Sequence, residues 1–243
     1  MYRLIVLMIF SALLGSENLT IDKERVYDVY KRLVFVDIKV AEVSSKIIKK
    51  VEIEGRDCYY IVLRVRSASI VGYIYEFDRE FHSWSTTDSL LTLKFEKWIK
   101  QRSGATTHTL IDFDQEAHLA RYSYPDTATV EIFPETRDFV ASICALSTLN
   151  FNQIKTGDSL VSNSLEEDKK LPRSYRIEVG ELEKTKLRGY ECWRAKGLSS
   201  NIELGITDKK EEKKEAEIWM TADEKNGRFP IRIKYGSLRI EIK

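Results

Sequence analysis

Two turn signals close together near the end of the chain, Asn226-Gly227 and Gly236-Ser237, most tightly constrain what it can fold into. Asn-Gly supplies two residues tolerant of positive φ, as a type I′ hairpin turn requires, and Gly-Ser suits type II′. Two-residue turns at both places would pair Ala222 with Ile231, Met220 with Ile233 and Ile218 with Tyr235. They would also pair Tyr235 with Leu238, Ile233 with Ile240 and Ile231 with Ile242. Cross-strand partners point to the same side, so all of these apolar residues share one face. Glu217, Trp219, Thr221, Arg232, Lys234, Arg239 and Glu241 fall on the other. One wrong register would scatter the pattern, so residues 216–243 are predicted to be a three-stranded meander.

Upstream, the same period of two recurs almost everywhere from Arg25 onward. Leu33 to Ser44 places Val34, Val36, Ile38 and Val40 on one side and Asp37 and Lys39 on the other. After Glu54-Gly55-Arg56-Asp57, the stretch Cys58 to Ser67 alternates Tyr59, Ile61, Leu63 and Val65 with Tyr60, Val62, Arg64 and Arg66. Tyr73, Tyr75 and Phe77 continue the pattern, as do Leu91, Leu93 and Phe95, with Trp98 on the alternate face. Thr109, Ile111 and Phe113 lead to a turn at Asp114-Gln115-Glu116, and short strands follow at 117–124 and 127–133. Strands resume at 174–183 and 190–196, on either side of Leu187-Arg188-Gly189. Such alternation, rich in β-branched and aromatic residues, marks half-buried antiparallel strands. The mixed-charge run from Asp208 to Glu215 reads as a solvated hairpin tip, because its opposite signs cancel.

One segment departs from that period. Phe139, Ile143, Leu146 and Leu149 recur at helical spacing, with Asp138 placed as an N-cap. The expected fold is therefore mainly β: a strongly curved antiparallel sheet or open, half-barrel-like barrel of about ten to fourteen strands. One main helix near 138–149 should lie on a sheet face or plug an open end, before a turn at Gly157-Asp158.

Arg3, the apolar run Leu4 to Leu14 and the small pair Gly15-Ser16 have the order of a secretory signal peptide. The run is shorter than the roughly 20 residues a membrane span needs. Residues 1–16 are therefore expected to be removed, leaving 17–243 as one β-rich domain that is periplasmic or secreted, with no transmembrane span. No cysteine lies at the cleavage point to carry a lipid anchor. Without Arg3, the 39 Lys+Arg fall to 38 against 38 Asp+Glu. That balance offers no footprint for nucleic acid or for an anionic membrane surface. Cys58, Cys144 and Cys192 are too few for a disulfide framework, and their spacing matches no zinc motif. They read as small buried apolar residues.

Several of these segments, taken in order from Arg25 to Lys243, resemble a bacterial exported family, domain of unknown function 3108. The resemblance rests on Arg25-Val26-Tyr27-Asp28-Val29, Ile111-Asp112-Phe113-Asp114, Asp138-Phe139-Val140-Ala141-Ser142 through Leu146, Gly157-Asp158 and Gly189-Tyr190-Glu191-Cys192. It is most extensive at the end, in Ile218-Trp219-Met220-Thr221-Ala222-Asp223, Phe229-Pro230-Ile231-Arg232-Ile233 and Tyr235-Gly236-Ser237-Leu238. The family tends to carry an arginine near the end of the helix, where this chain has Ser147 or Thr148. The resemblance implies export and the curved-sheet fold, and its name implies no activity. A helix on the concave side of such a sheet would resemble periplasmic lipoprotein-carrier half-barrels at the level of fold.

No catalytic or metal motif stands out. His82, His108 and His118 have no ligand spacing, there is no Gly-rich phosphate loop, and Ser142 and Ser147 lack a nucleophile elbow. No cofactor is expected. Asp112 and Asp114 would share one side of a strand, an arrangement open to a carboxylate-dependent hydrolase or to turn capping. Tyr60, Trp84, Trp98 and Trp219 lie opposite the clearest apolar stripes and are the candidates for a ligand groove. The leading expectation is non-catalytic binding of a lipid or other apolar ligand, or of an envelope partner protein. A structural module of an envelope assembly is the remaining alternative.

Overall fold

The computed structural model describes residues 19–33, 35–68, 78–100, 104–203, 213–222 and 228–243. The signal-like segment 1–16, the strand read at Tyr73 to Phe77, most of the charge run from Asp208 and the Asn226-Gly227 pair lie outside them. Fourteen strands form one antiparallel sheet: β1 Arg25–Leu33, β2 Val36–Ile53, β3 Arg56–Ser67, β4 Asp78–Thr86, β5 Thr92–Lys100, β6 Thr106–Asp114 and β7 Leu119–Tyr124. They continue with β8 Ala128–Glu131, β9 Ser159–Glu166, β10 Leu171–Leu187, β11 Tyr190–Glu203, β12 Lys214–Thr221, β13 Pro230–Tyr235 and β14 Leu238–Ile242. Among the described residues, the expectation of a mainly antiparallel β fold with one main α-helix holds.

The strand order is β8-β7-β6-β5-β4-β3-β2-β1-β14-β13-β12-β11-β10-β9. Every neighbour is a sequence neighbour except β1 and β14, which join the two ends of the chain through Tyr27↔Ile242 and Val29↔Ile240. The open edges are thus β8 and β9. Between them run residues 132–158, including α1, Phe139–Leu146. The Ile132 N–H donates to the His118 carbonyl beside β7, and the Arg137 N–H to the Asn163 carbonyl on β9. Only four residues, 133–136, therefore separate contacts with the two edges of a sheet that would be roughly 60 Å wide if flat, at about 4.8 Å per strand. Only strong curvature brings the edges that close.

The concave side is apolar because the alternation predicted from sequence puts it there. Ile61, Leu63 and Val65 of β3, Phe81 of β4, Phe95 of β5 and Ile111 of β6 are buried with Phe139 and Val140 of α1 in one cluster. A second cluster joins Leu146 and Leu149 to Ile177, Ile218, Met220, Ile233 and Tyr235. Asp138 is the N-cap of α1, accepting from the N–H groups of Val140 and Ala141. Phe139, Leu146 and Leu149 are buried, although the helix ends at Leu146, three residues short of the predicted stripe.

In the terminal meander, the second hairpin has the predicted pairs Tyr235↔Leu238 and Ile233↔Ile240. Gly236 has φ +54°, while Ser237 is not among the described residues with positive φ, as a type II′ turn needs. The first hairpin is shifted by two. Ile218, not Met220, faces Ile233, and a bulge sets Met220 opposite Pro230. Thr221 and Phe229 close the neck, the Thr221 N–H donating to the Phe229 carbonyl at 3.1 Å, so the loop is longer than two residues. Pro230 has no N–H to continue the expected ladder. A shift of two is even, which is why Ile218, Met220, Ile233 and Tyr235 still share the concave face. The strand read at Leu33 to Ser44 is also corrected, because the chain turns back there and Leu33 pairs with Val36.

Replacing Gly236 by Val should lower stability by about 1–3 kcal/mol, since a β-branched residue resists positive φ. Urea unfolding reads the difference; an unchanged midpoint would refute the turn geometry.

Candidate functional site

An apolar cavity lies between α1 and the sheet. α1 packs against β3, β4 and β9, and its Phe139 meets Phe81 edge-on at 4.5 Å between ring centroids. Phe139 and Ile143 face Tyr27 and Val29 of β1, Leu63 and Val65 of β3 and Ile233 and Tyr235 of β13 across a cavity of about 70 Å³. Its walls are almost wholly apolar. Apolar cavities of roughly 150 Å³ admit benzene, and drug-sized ligands need roughly 300 Å³ or more. At about 70 Å³ the cavity is smaller than either of these.

Two polar arrangements hold that helix and its linker in place. Asp138 is 3 % exposed and accepts four hydrogen bonds: from Ser83 Oγ at 2.5 Å, Thr92 Oγ1 at 2.8 Å, Val140 N–H at 2.7 Å and Ala141 N–H at 2.9 Å. Burial pushes its carboxyl up, against the pull of those donors. On the far side of α1, the turn Glu167–Lys169 is tied to β5. Lys97, an inward-facing residue of β5 with 2 % side-chain exposure, donates to Asp168 and lies 3.6 Å from Glu167 Oε1. Tyr122 of β7 donates to the Glu167 carbonyl at 3.1 Å. Burial raises the Glu167 carboxyl to about 7, with the Lys97 cation the largest opposing influence. Sequence reasoning passed over both Lys97 and Glu167. The available signal was Lys97 itself, a cation in register with the inward Phe95.

Of the four predicted aromatics, Trp219 is buried in a cluster with Tyr27, Phe229 and Ile231, and the structure brings only Tyr60 and Trp84 together. Tyr60 stacks on Trp84 at 4.9 Å, and its hydroxyl meets His82 Nδ1 at 2.6 Å, while Glu80 lies 3.0 Å from His82 Nε2. Burial, then Glu80 and Glu96, raises the Tyr60 phenol, the reverse of an activated phenolate. Trp98 stacks on His108 at 3.9 Å. Trp219 is 6 % exposed on a distant strand, with Arg194, Arg232 and Lys234 over its ring at 5.5, 5.1 and 4.7 Å. Their rings stack on neighbours or sit beneath cations rather than around one shared groove.

Asp112 and Asp114 do share the outer side of β6. Asp114 accepts from the Ala117 N–H at 2.9 Å and from Arg121 at 2.8 Å, capping the turn, and these bonds hold its carboxyl below the usual range. Asp112 is raised, mainly by burial, and pairs across strands with Lys94 and Arg121. Among the described residues no group of three or more His, Cys, Asp or Glu could hold a metal ion. Cys58, Cys144 and Cys192 are buried and free; burial raises all three thiols, Cys144 to about 12, which removes the thiolate a nucleophile needs.

Fold and site together define a barrel-like open antiparallel sheet with an interior helix and an apolar interior. A solved structure shares that fold: the beta-barrel-like protein of domain of unknown function DUF1849 from Brucella abortus, with a TM-score of 0.56, 11 % identity and coverage of 90 % of this chain and 94 % of that one. A protein from Parabacteroides distasonis, assigned only provisionally as a lipoprotein, aligns over 97 % and 98 % of the two chains at 8 % identity, but its TM-score of 0.38 carries no argument. The chain itself belongs to the DUF3108 family of proteins of unknown function, whose profile matches residues 26–243. No curated protein matches it. Among the described residues, no helix is long and apolar enough to cross a membrane.

Proposed function

We propose that this is an exported, non-catalytic envelope protein that holds the alkyl end of an apolar ligand between α1 and the concave sheet. The observation that carries the reading is the apolar cavity roofed by Phe139 and Ile143. A short helix of eight residues is a movable roof, because few turns have to shift to enlarge the space beneath it. Export rests on the charge-then-apolar order of residues 1–16.

Native mass spectrometry of protein purified gently from its host envelope tests both parts. An extra mass that disappears on organic extraction, on a chain lighter by residues 1–15 or 1–16, is the expected result. Ile143→Trp, which fills the cavity, should lose the adduct and weaken uptake of a fluorescent fatty acid by about ten-fold or more while the melting temperature holds. A wild-type chain free of adduct that takes up no fatty acid would sink the ligand reading, and an unshortened chain the export reading.

A further inference from the structure

The turn between β1 and β2 lacks the chemistry hairpins favour. Leu33 pairs with Val36 across a two-residue link of sequence Val34-Phe35, without Gly, Asn or Asp. Its apolar side chains stay in water: Phe35 is 90 % exposed, Val36 61 % and Leu33 47 %. Scattered exposed apolar residues are ordinary, but a cluster at one protruding point is not.

The hairpin also outruns its neighbours among the described residues. On one side the pairing with β3 ends at Ala41↔Ser67, with the Ala68 N–H reaching the Val40 carbonyl at 3.0 Å. On the other the pairing with β14 ends at Lys31↔Leu238, with the Arg32 N–H donating to the Ser237 carbonyl at 2.8 Å.

Charge is arranged behind this tip. Lys31 and Arg32 precede Leu33; Arg32 stands opposite Asp37 on β2, but among the described residues neither cation forms a salt bridge. The acid of the tip, Asp37, is already held by Arg239 at 2.6 Å. The chain is close to neutral as a whole, so this positive charge is local. An anionic bilayer complements both features: its interface takes apolar side chains, and its headgroup phosphates lie at the depth of the cations behind them.

We propose that the β1–β2 hairpin tip is a membrane-docking finger that inserts Leu33, Phe35 and Val36 into an anionic lipid surface while Lys31 and Arg32 contact headgroup phosphates. The described apolar side chains of the tip are exposed, so it engages the lipid surface rather than extracting a lipid. This docking is independent of ligand binding beneath α1.

The test is co-sedimentation of the protein, in the form purified from its host cells, with vesicles of phosphatidylcholine alone and of phosphatidylcholine mixed with phosphatidylglycerol. Wild type should bind the anionic vesicles more tightly than the neutral ones, and added salt should weaken that binding. Phe35→Asp should reduce it by about ten-fold or more, and Lys31→Gln with Arg32→Gln should remove most of the salt dependence. These side chains lie at the exposed tip, so melting temperatures should match wild type. Wild type left in the supernatant with both vesicles, equal binding to both, or full binding by Phe35→Asp overturns the proposal. Self-association that Phe35→Asp abolishes, without vesicle binding, overturns it in favour of a protein partner.

Discussion

Replacing Lys97 by Met should destabilise the fold by about 3–5 kcal/mol near pH 8, because it strands Glu167 as a buried charge. The sign of the pH dependence follows from the Glu167 carboxyl, raised from 4.5 to about 7 in the folded protein. The folded state therefore holds a proton that the unfolded state has lost between those values, and stability falls as pH rises through that window. Lys97 provides the main opposition to the rise, so its removal lifts the folded value further and extends the loss above 7. The variant should thus lie closer to wild type at about pH 5 than at about pH 8. Asp168, at 56 % side-chain exposure, can turn to water and contributes little to the difference. Adding Glu167→Gln to Lys97→Met should restore most of the stability, since a buried pair replaced as a unit costs far less than one broken. Urea unfolding at the two pH values measures all of this. Equal losses at both, or no recovery in the double variant, would show that Lys97 does not carry Glu167.

Asp138→Ala is the second large loss, expected at about 3–5 kcal/mol. It removes a helix cap and also leaves the Ser83 and Thr92 hydroxyls and two backbone N–H groups without their acceptor in a buried site. Asp138→Asn keeps an acceptor oxygen and the shape of the side chain, so it should cost about 1–2 kcal/mol. The loss should be concentrated in α1. Hydrogen exchange at Val140 and Ala141 should therefore quicken more than exchange in β2 and β3. A melting temperature for Asp138→Ala within a degree or two of wild type would reduce Asp138 to an ordinary surface-type cap. Since α1 roofs the cavity, the same variant should also enlarge access to the interior.

The two variants differ in how far their sites were legible. Asp138 was visible as an N-cap, because capping is local: the residue type and the following apolar spacing suffice. Its bonds to Ser83 and Thr92, 55 and 46 residues away in sequence, were not. Lys97 and Glu167 were invisible as a pair, since β5 and the turn after β9 meet only when the sheet curls its two edges together. The reversal between Leu33 and Val36 was missed for the opposite reason. Val34, Val36, Ile38 and Val40 continue a strand pattern without interruption, and no turn residue marks the reversal. Of the aromatics Tyr60, Trp84, Trp98 and Trp219, the last is buried in a cluster with Tyr27 and Ile231, and alternation carries no information about which of the others are neighbours.

The sequence by itself determined the strand-rich class, the face most strand side chains take, the position of helix α1 and its cap, and the second terminal hairpin. All of these follow from periods of two or 3.6 residues and from turn chemistry, which act over a few residues. Only the tertiary structure decided the register of the first terminal hairpin, the joining of β1 to β14, the reversal at Leu33–Val36 and the burial of Lys97 beside Glu167. Those depend on which strands meet once a fourteen-stranded sheet has twisted and curled. A strand's alternation says which way a residue points and leaves open what it will find there.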